Sequence, residues 1–214
     1  MRKLQFTMIM TIFAMFGANA QEQGDIEFGL GFGLNRSNLS VVDEQFGIEN
    51  LYSFNIAASG EYYFSDRWGM KMKIIYDNKG PGPGFFAALI DPNSIMPADV
   101  IINYITVPAM ANWHFGKNRN WYLNFGPYIG FLIKAEDTKL DFDNTDDLKS
   151  IDIGFDLGMG YKFKVNDKIK IFIEYDVQSG FSEVLTGSKL YREARNIRES
   201  FNIGVLYNIR TKGK

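Results

Sequence analysis

Very few residues of this chain could do covalent or acid–base chemistry. There is one histidine, His114, and no cysteine. That excludes thiolate nucleophiles, disulfides and Cys-based zinc sites, together with nearly all histidine-dependent catalysis. His114 lies beside Gly116 at a polar turn, away from any second histidine, so no enzyme is expected. Gly29, Gly31 and Gly33, with Gly158 and Gly160, bear a superficial likeness to phosphate loops. Neither cluster opens a helix, which a phosphate site of that kind needs, so no nucleotide or other cofactor is expected.

Two charged segments remain. Glu136 to Asp147 carries six carboxylates and one lysine, the oxygen chemistry that suits calcium, but it has no glycine at the sixth position of an EF-hand loop. It is expected to be a solvated acidic loop with no metal site. Lys189, Arg192, Arg195 and Arg198 fall in a loop before the last strand, which is either a contact for lipopolysaccharide phosphates, arginine being suited to bidentate contacts, or a solvated loop edge.

These residues must be positioned by the elements around them, and the chain has one dominant pattern. Ile26, Phe28, Leu30, Phe32 and Leu34 alternate with small or polar residues, the period of a β-strand. The alternation recurs seven times, over Tyr52–Phe64, Trp68–Asp77, Ile105–Phe115, Trp121–Ile133, Ile151–Phe163, Ile169–Val177 and Phe201–Ile209. Short polar turns at Ser65–Arg67, Gly116–Asn120 and Val165–Lys168 alternate with connections of roughly 17 to 27 residues, far longer than usual in compact domains. All short turns therefore fall at one end and all long loops at the other. The expected fold is all-β, an eight-stranded antiparallel up-and-down transmembrane β-barrel.

A soluble barrel with its apolar face inward is the rival. It has too little interior for five to seven large side chains per strand. The rings also gather at strand ends: Phe64, Trp68, Trp113, Phe115, Trp121, Tyr161 and Phe163 at the short-turn end, and Tyr76, Phe131 and Tyr175 at the loop end. Two aromatic belts at interfacial depth are the pattern of a lipid-facing surface. The composition, 46% hydrophobic and 15% aromatic with 21 glycines, fits a barrel in which every second residue meets lipid. A net charge of −2 gives no electrostatic footprint for nucleic acid.

The polar face should fill the lumen. Lys71, Lys73, Lys134, Lys162, Lys164, Lys170 and Arg210 would oppose Glu27, Glu61, Asp77, Asp152, Asp156, Glu174 and Asp176. Near-balance of charge in a narrow interior argues for an ion-paired plug rather than an ion path. Arg2 and Lys3, an apolar run from Leu4 to Phe16, and Gly17-Ala18-Asn19-Ala20 have the form of a cleavable signal peptide over residues 1–20, cut after Ala20, leaving a barrel domain over 21–214. The segment Pro81-Gly82-Pro83-Gly84 followed by Phe85-Phe86-Ala87-Ala88-Leu89-Ile90 is expected to touch a partner or lipid, or to close over the barrel mouth.

Several stretches are similar to the PorT-like outer-membrane β-barrel family: Gly31 to Leu39, Tyr104-Ile105-Thr106-Val107-Pro108, Gly126-Pro127-Tyr128-Ile129-Gly130-Phe131-Leu132, Asp152 to Tyr161, and Phe201 to Tyr207. The resemblance implies an eight-stranded barrel in the cell outer membrane, and, through the founding member, a second role as a component of a protein secretion or transport assembly. The leading expectation is a non-enzymatic structural or surface-interaction protein, its partners being outer-membrane lipid, lipopolysaccharide and another envelope or secretion protein. The chain departs from such barrels in ending Ile209-Arg210-Thr211-Lys212-Gly213-Lys214, without a terminal aromatic.

Overall fold

The computed structural model describes residues 23–40, 49–82, 100–137, 142–143, 145, 148–186 and 194–209. The signal segment, Pro83 to Asp99, Lys189, Arg192 and Arg210 lie outside these. So does most of the acidic loop, including Asp141, Asp146 and Asp147.

Eight long strands, β1 (Ile26–Ser40), β2 (Leu51–Tyr63), β3 (Trp68–Lys79), β4 (Val100–Phe115), β5 (Trp121–Asp137), β7 (Ile151–Lys164), β8 (Ile169–Gly180) and β9 (Arg195–Ile209), form one antiparallel sheet. The two-residue β6 (Phe142–Asp143) pairs only with the end of β5. Sequence neighbours pair throughout, β4 pairs with β5, and β1 pairs with β9 from Ile26↔Ile209 to Ser40↔Arg195, so the sheet closes. Closure removes the edges that would otherwise expose unpaired backbone to hydrocarbon.

The strands are longer than their apolar alternation, at 12 to 17 residues, where about 9–11 span a bilayer. Pairing continues past the membrane although the outward residues there are no longer apolar. β1 reaches Ser40 and β9 begins at Arg195, so the loops are shorter than the sequence pattern implies.

Outward positions carry the large apolar residues: Leu30, Phe32, Ile56, Met70, Ile153, Leu157 and Ile203 are each about half exposed or more. Inward positions carry polar residues and glycines. Three inward rings fold over glycines on a facing strand. A Cβ on Gly160 would lie 2.3 Å from the Tyr122 ring, one on Gly154 2.6 Å from Tyr128, and one on Gly204 2.5 Å from Phe172. At these positions the missing side chain is the space a neighbouring ring occupies. Above the polar lumen, at the loop end, Leu39, Ile102, Tyr104, Ala135, Leu148, Val184, Leu185 and Ala194 form a small apolar core, so the interior changes from polar to apolar where the barrel leaves the membrane.

Two prolines interrupt the wall beside β4. The β3–β4 pairing breaks between Met72↔Ala109 and Ile75↔Thr106, opposite Pro108, and the β4–β5 pairing breaks between Pro108↔Tyr128 and Ala111↔Phe125, opposite Pro127. Neither proline has an N–H to give, to Lys73 and Ala109 respectively. Pro127→Val keeps an apolar outward residue and restores a donor. Its thermal midpoint, read from heat-shifted gel migration, is expected to rise, by about 1 kcal/mol in stability; an unchanged or lower midpoint counts against the lapse being costly.

Candidate functional site: the polar lumen

The inward face brings together six cations, Lys71, Lys73, Lys79, Lys162, Lys170 and Arg198, and seven carboxylates, Glu27, Glu61, Asp77, Asp152, Asp156, Glu174 and Asp176, all buried. They form stacked layers, each joining strands distant in sequence.

At the short-turn end Lys162 of β7 is the hub. Its ammonium donates to Glu27 Oε2 at 2.6 Å, Glu61 Oε2 at 2.9 Å and the Tyr63 hydroxyl at 2.6 Å. Tyr63 donates in turn to Glu27 at 2.7 Å, and Lys170 pairs with the other oxygen of Glu27. His114 Nε2 lies 2.6 Å from Glu61 Oε1, which also accepts from Asn112 at 2.9 Å. The one histidine is thus wholly buried against a carboxylate.

In the middle layer Glu174 accepts from Lys71 at 2.8 Å, from Asn124 at 2.8 Å and from Lys73. Above it, Arg198 bridges two carboxylates, donating from Nη1 to Asp77 at 2.8 Å and from Nη2 to Asp176 at 2.6 Å. An amide chain continues this layer. Asn35 donates to Asp77 at 2.8 Å, Asn55 to Asn35 at 2.6 Å, and Asn202 to Asp176 at 2.8 Å. Nearest the loops, Lys79 sits 2.9 Å from Asp152, with its charge 4.8 and 4.7 Å from the ring centres of Tyr104 and Tyr128. Tyr128, Asn196 and Ser182 complete the shell of Asp152.

Asp156 differs from the other six. Gln178 donates to its Oδ2 at 2.8 Å, its Oδ1 has no hydrogen-bond partner, and no cation lies within ion-pair distance among the described residues. Lys73 and Arg198 act on it only from beyond ion-pair distance, and burial of a carboxylate whose one direct partner is an amide is costly. Asp156→Asn preserves the Gln178 contact and removes the charge, so its thermal midpoint is expected to rise, by about 1 kcal/mol in stability; a fall would show that the charge itself is needed.

Three charged residues stand elsewhere than the sequence pattern puts them. Lys134 is exposed on the outer face, because the β4–β5 register shifts at Asn103/Tyr104: Asn103 faces Lys134 while Tyr104 faces Leu132. One extra residue in β5 reverses every side chain beyond it. Arg198 is not a loop residue at all. It lies inside β9, 1% exposed, and cannot reach lipopolysaccharide. Arg195 is the first residue of β9 and half-buried. Lys164, the last residue of β7 and opposite Lys170, keeps the inward face and ends it at the short-turn rim, paired with Asp167 at 2.8 Å. Conversely, Lys79 belongs to the network. Its neighbours Gly80 and Pro81 mark a turn in the sequence, and that hides the final strand residue before them. Tyr63, Tyr122, Tyr128, Asn55 and Asn124 also belong; their even spacing opposite outward residues was the available signal.

The outward rings lie in two groups. Trp68, Trp113, Trp121 and Phe64 are exposed at the short-turn end, with Phe115, Tyr161 and Phe163 partly covered by each other; Tyr76, Phe131 and Tyr175 are exposed towards the loops. Beyond the strands, the hydrogen bond from Lys149 holds the Glu183 carboxyl below the usual carboxylate range. The lumen leaves little room. A cavity of about 20 Å³ lies among Gly31, Asn55, Lys71, Lys73, Phe172 and Glu174, space for about one water molecule.

A closed sheet, apolar outside and ion-paired inside, meets a matching family model over residues 19–186, described as the outer membrane protein beta-barrel domain. The chain belongs to that family. As a member of the outer membrane protein beta-barrel domain family it is a protein of the outer membrane. Solved structures share its fold at low identity. OprG from Pseudomonas aeruginosa has a TM-score of 0.58 at 11% identity, covering 91% of this chain and all of that one. Neisserial surface protein A has 0.55 at 12%, covering 86% and 99%. AlkL, solved in lipid bilayers, has 0.54 at 11%, covering 92% and 96%. No curated protein sequence matches the chain.

Proposed function

We propose that this outer-membrane barrel is non-enzymatic, that its lumen is a structural plug, and that it acts through its outer surface and loops. The observation that carries this reading is the lumen itself, where ion pairs cross-link all levels of the interior around a cavity of about 20 Å³. The single histidine is committed to Glu61, which supports the absence of hydrolytic chemistry. The test is planar-bilayer conductance of the refolded protein. Only brief, small events are expected, and a stable open channel of porin size would overturn the plug.

The surface role rests on the two bands of rings as interfacial anchors and on the loops. Lipopolysaccharide contact narrows to Lys189, Arg192 and Arg195. The PorT-like motifs favour a second reading, a component of a secretion assembly. Affinity capture of the native protein separates the two: reproducible recovery of secretion subunits favours the second, and bulk envelope proteins alone the first. Export by a signal peptide is part of the proposal. Amino-terminal sequencing of the membrane-inserted protein is expected to begin at Gln21, and retention of Met1 to Ala20 would refute the cleavage.

A further inference from the structure

All three tryptophans of the chain, Trp68, Trp113 and Trp121, lie in one sector of the short-turn end, across β3, β4 and β5. They belong to a continuous row of rings. Trp68 and Trp113 are stacked with centres 6.3 Å apart, Trp113 and Phe115 5.0 Å, Phe115 and Trp121 6.4 Å, and Trp121 meets Tyr161 edge-on at 4.9 Å. The opposite wall has no tryptophan at this depth.

Directly below the row, the β2–β3 and β4–β5 turns are tied together. Arg119 donates to the Asp66 carbonyl at 2.7 Å and pairs with its carboxylate at 3.1 Å, and the His114 amide donates to the Arg67 carbonyl at 2.7 Å. Arg119 holds a left-handed backbone (φ 55°), a conformation that costs energy for a non-glycine residue and persists where contacts fix it. Locking Arg119 to Asp66 leaves Arg67 and Lys117 exposed, each without an ion-pair partner among the described residues. Two free cations on a rigid double turn thus sit beneath a ledge of stacked rings at the depth where headgroup phosphates lie.

We propose that this sector binds an anionic phospholipid of the periplasmic leaflet, with Arg67 and Lys117 holding the headgroup phosphate and the row from Trp68 to Trp121 packing along the glycerol and upper chains. Short turns are periplasmic in barrels of this class, which sets the leaflet. Charge complementarity sets the headgroup, since cations near an anionic surface each contribute an attraction that a zwitterionic headgroup does not. Rings of amphipathic character are suited to that depth.

Because no tryptophan lies elsewhere, tryptophan fluorescence, excited selectively near the red edge of absorption, reports on this sector alone. The protein is reconstituted in phosphatidylcholine vesicles containing a minor fraction of brominated phosphatidylglycerol, or the same fraction of brominated phosphatidylcholine, bromine being a contact quencher. The anionic quencher is expected to be preferred by about fivefold or more in relative binding constant, about fivefold being the weight of each of the two cations near an anionic surface. The preference should shrink with added salt and vanish in the Arg67→Gln/Lys117→Gln double variant, while Lys149→Gln at the other end leaves it unchanged. Folding of each variant is checked by its heat-shifted migration, and each single variant serves if the double one does not refold. Equal quenching by the two lipids, as for a sector kept for an acidic protein partner, would overturn the proposal, as would a preference that survives loss of both cations.

Discussion

Lys162→Met is expected to be among the most damaging single substitutions in this barrel, lowering stability by about 3–5 kcal/mol. The methionine fits the space but cannot answer Glu27 and Glu61, which converge on the Lys162 ammonium at 2.6 and 2.9 Å. Both carboxylates would stay buried, Glu27 with Lys170 and the Tyr63 hydroxyl and Glu61 with Asn112 and His114. Urea titration of the refolded protein, followed by gel migration, measures the loss. Adding Glu61→Gln should recover part of it by removing one of the stranded charges. A single variant with a wild-type midpoint would show that the pairs are not coupled to the fold.

Arg198→Met is expected to rank beside it, also at about 3–5 kcal/mol, because one guanidinium bridges Asp77 on β3 and Asp176 on β8. Lys73, 3.4 Å from Asp176, answers only one of the two. The triple variant Arg198→Met/Asp77→Asn/Asp176→Asn, with no stranded charge, should regain much of the stability, and its urea midpoint against that of the single variant is the measurement. The same pair separates a structural arginine from a surface one. With Arg198 inside β9, lipopolysaccharide binding by the refolded triple variant should equal that of the wild type.

Period-two alternation is strongest where lipid demands apolar residues on one face, so the middles of all eight long strands were legible, and with them the inward positions from Glu27 to Asp176. It fades where the barrel leaves the membrane, and there the sequence reading failed. Arg198 and Asn196 alternate correctly with Ile197, yet Glu199 and Arg195 interrupt the outward face and make the segment look like a loop. Lys134 was lost to a single bulged residue, which no pattern of apolar residues marks beforehand. Partnership was not legible either. Lys162 and Glu27 are 135 positions apart, and only the register of a closed sheet brings them within reach.

That separation has a kinetic meaning. A cross-link between strands so far apart along the chain cannot form while β1 and β9 are still apart, since the loop-closing entropy must first be overcome. The lumen pairs are therefore late contacts, absent when the sheet is partly assembled. Interactions of that kind add little to the speed of insertion but must be broken before the barrel can open, so they lengthen the lifetime of the finished state. Once closed, the barrel is latched from within.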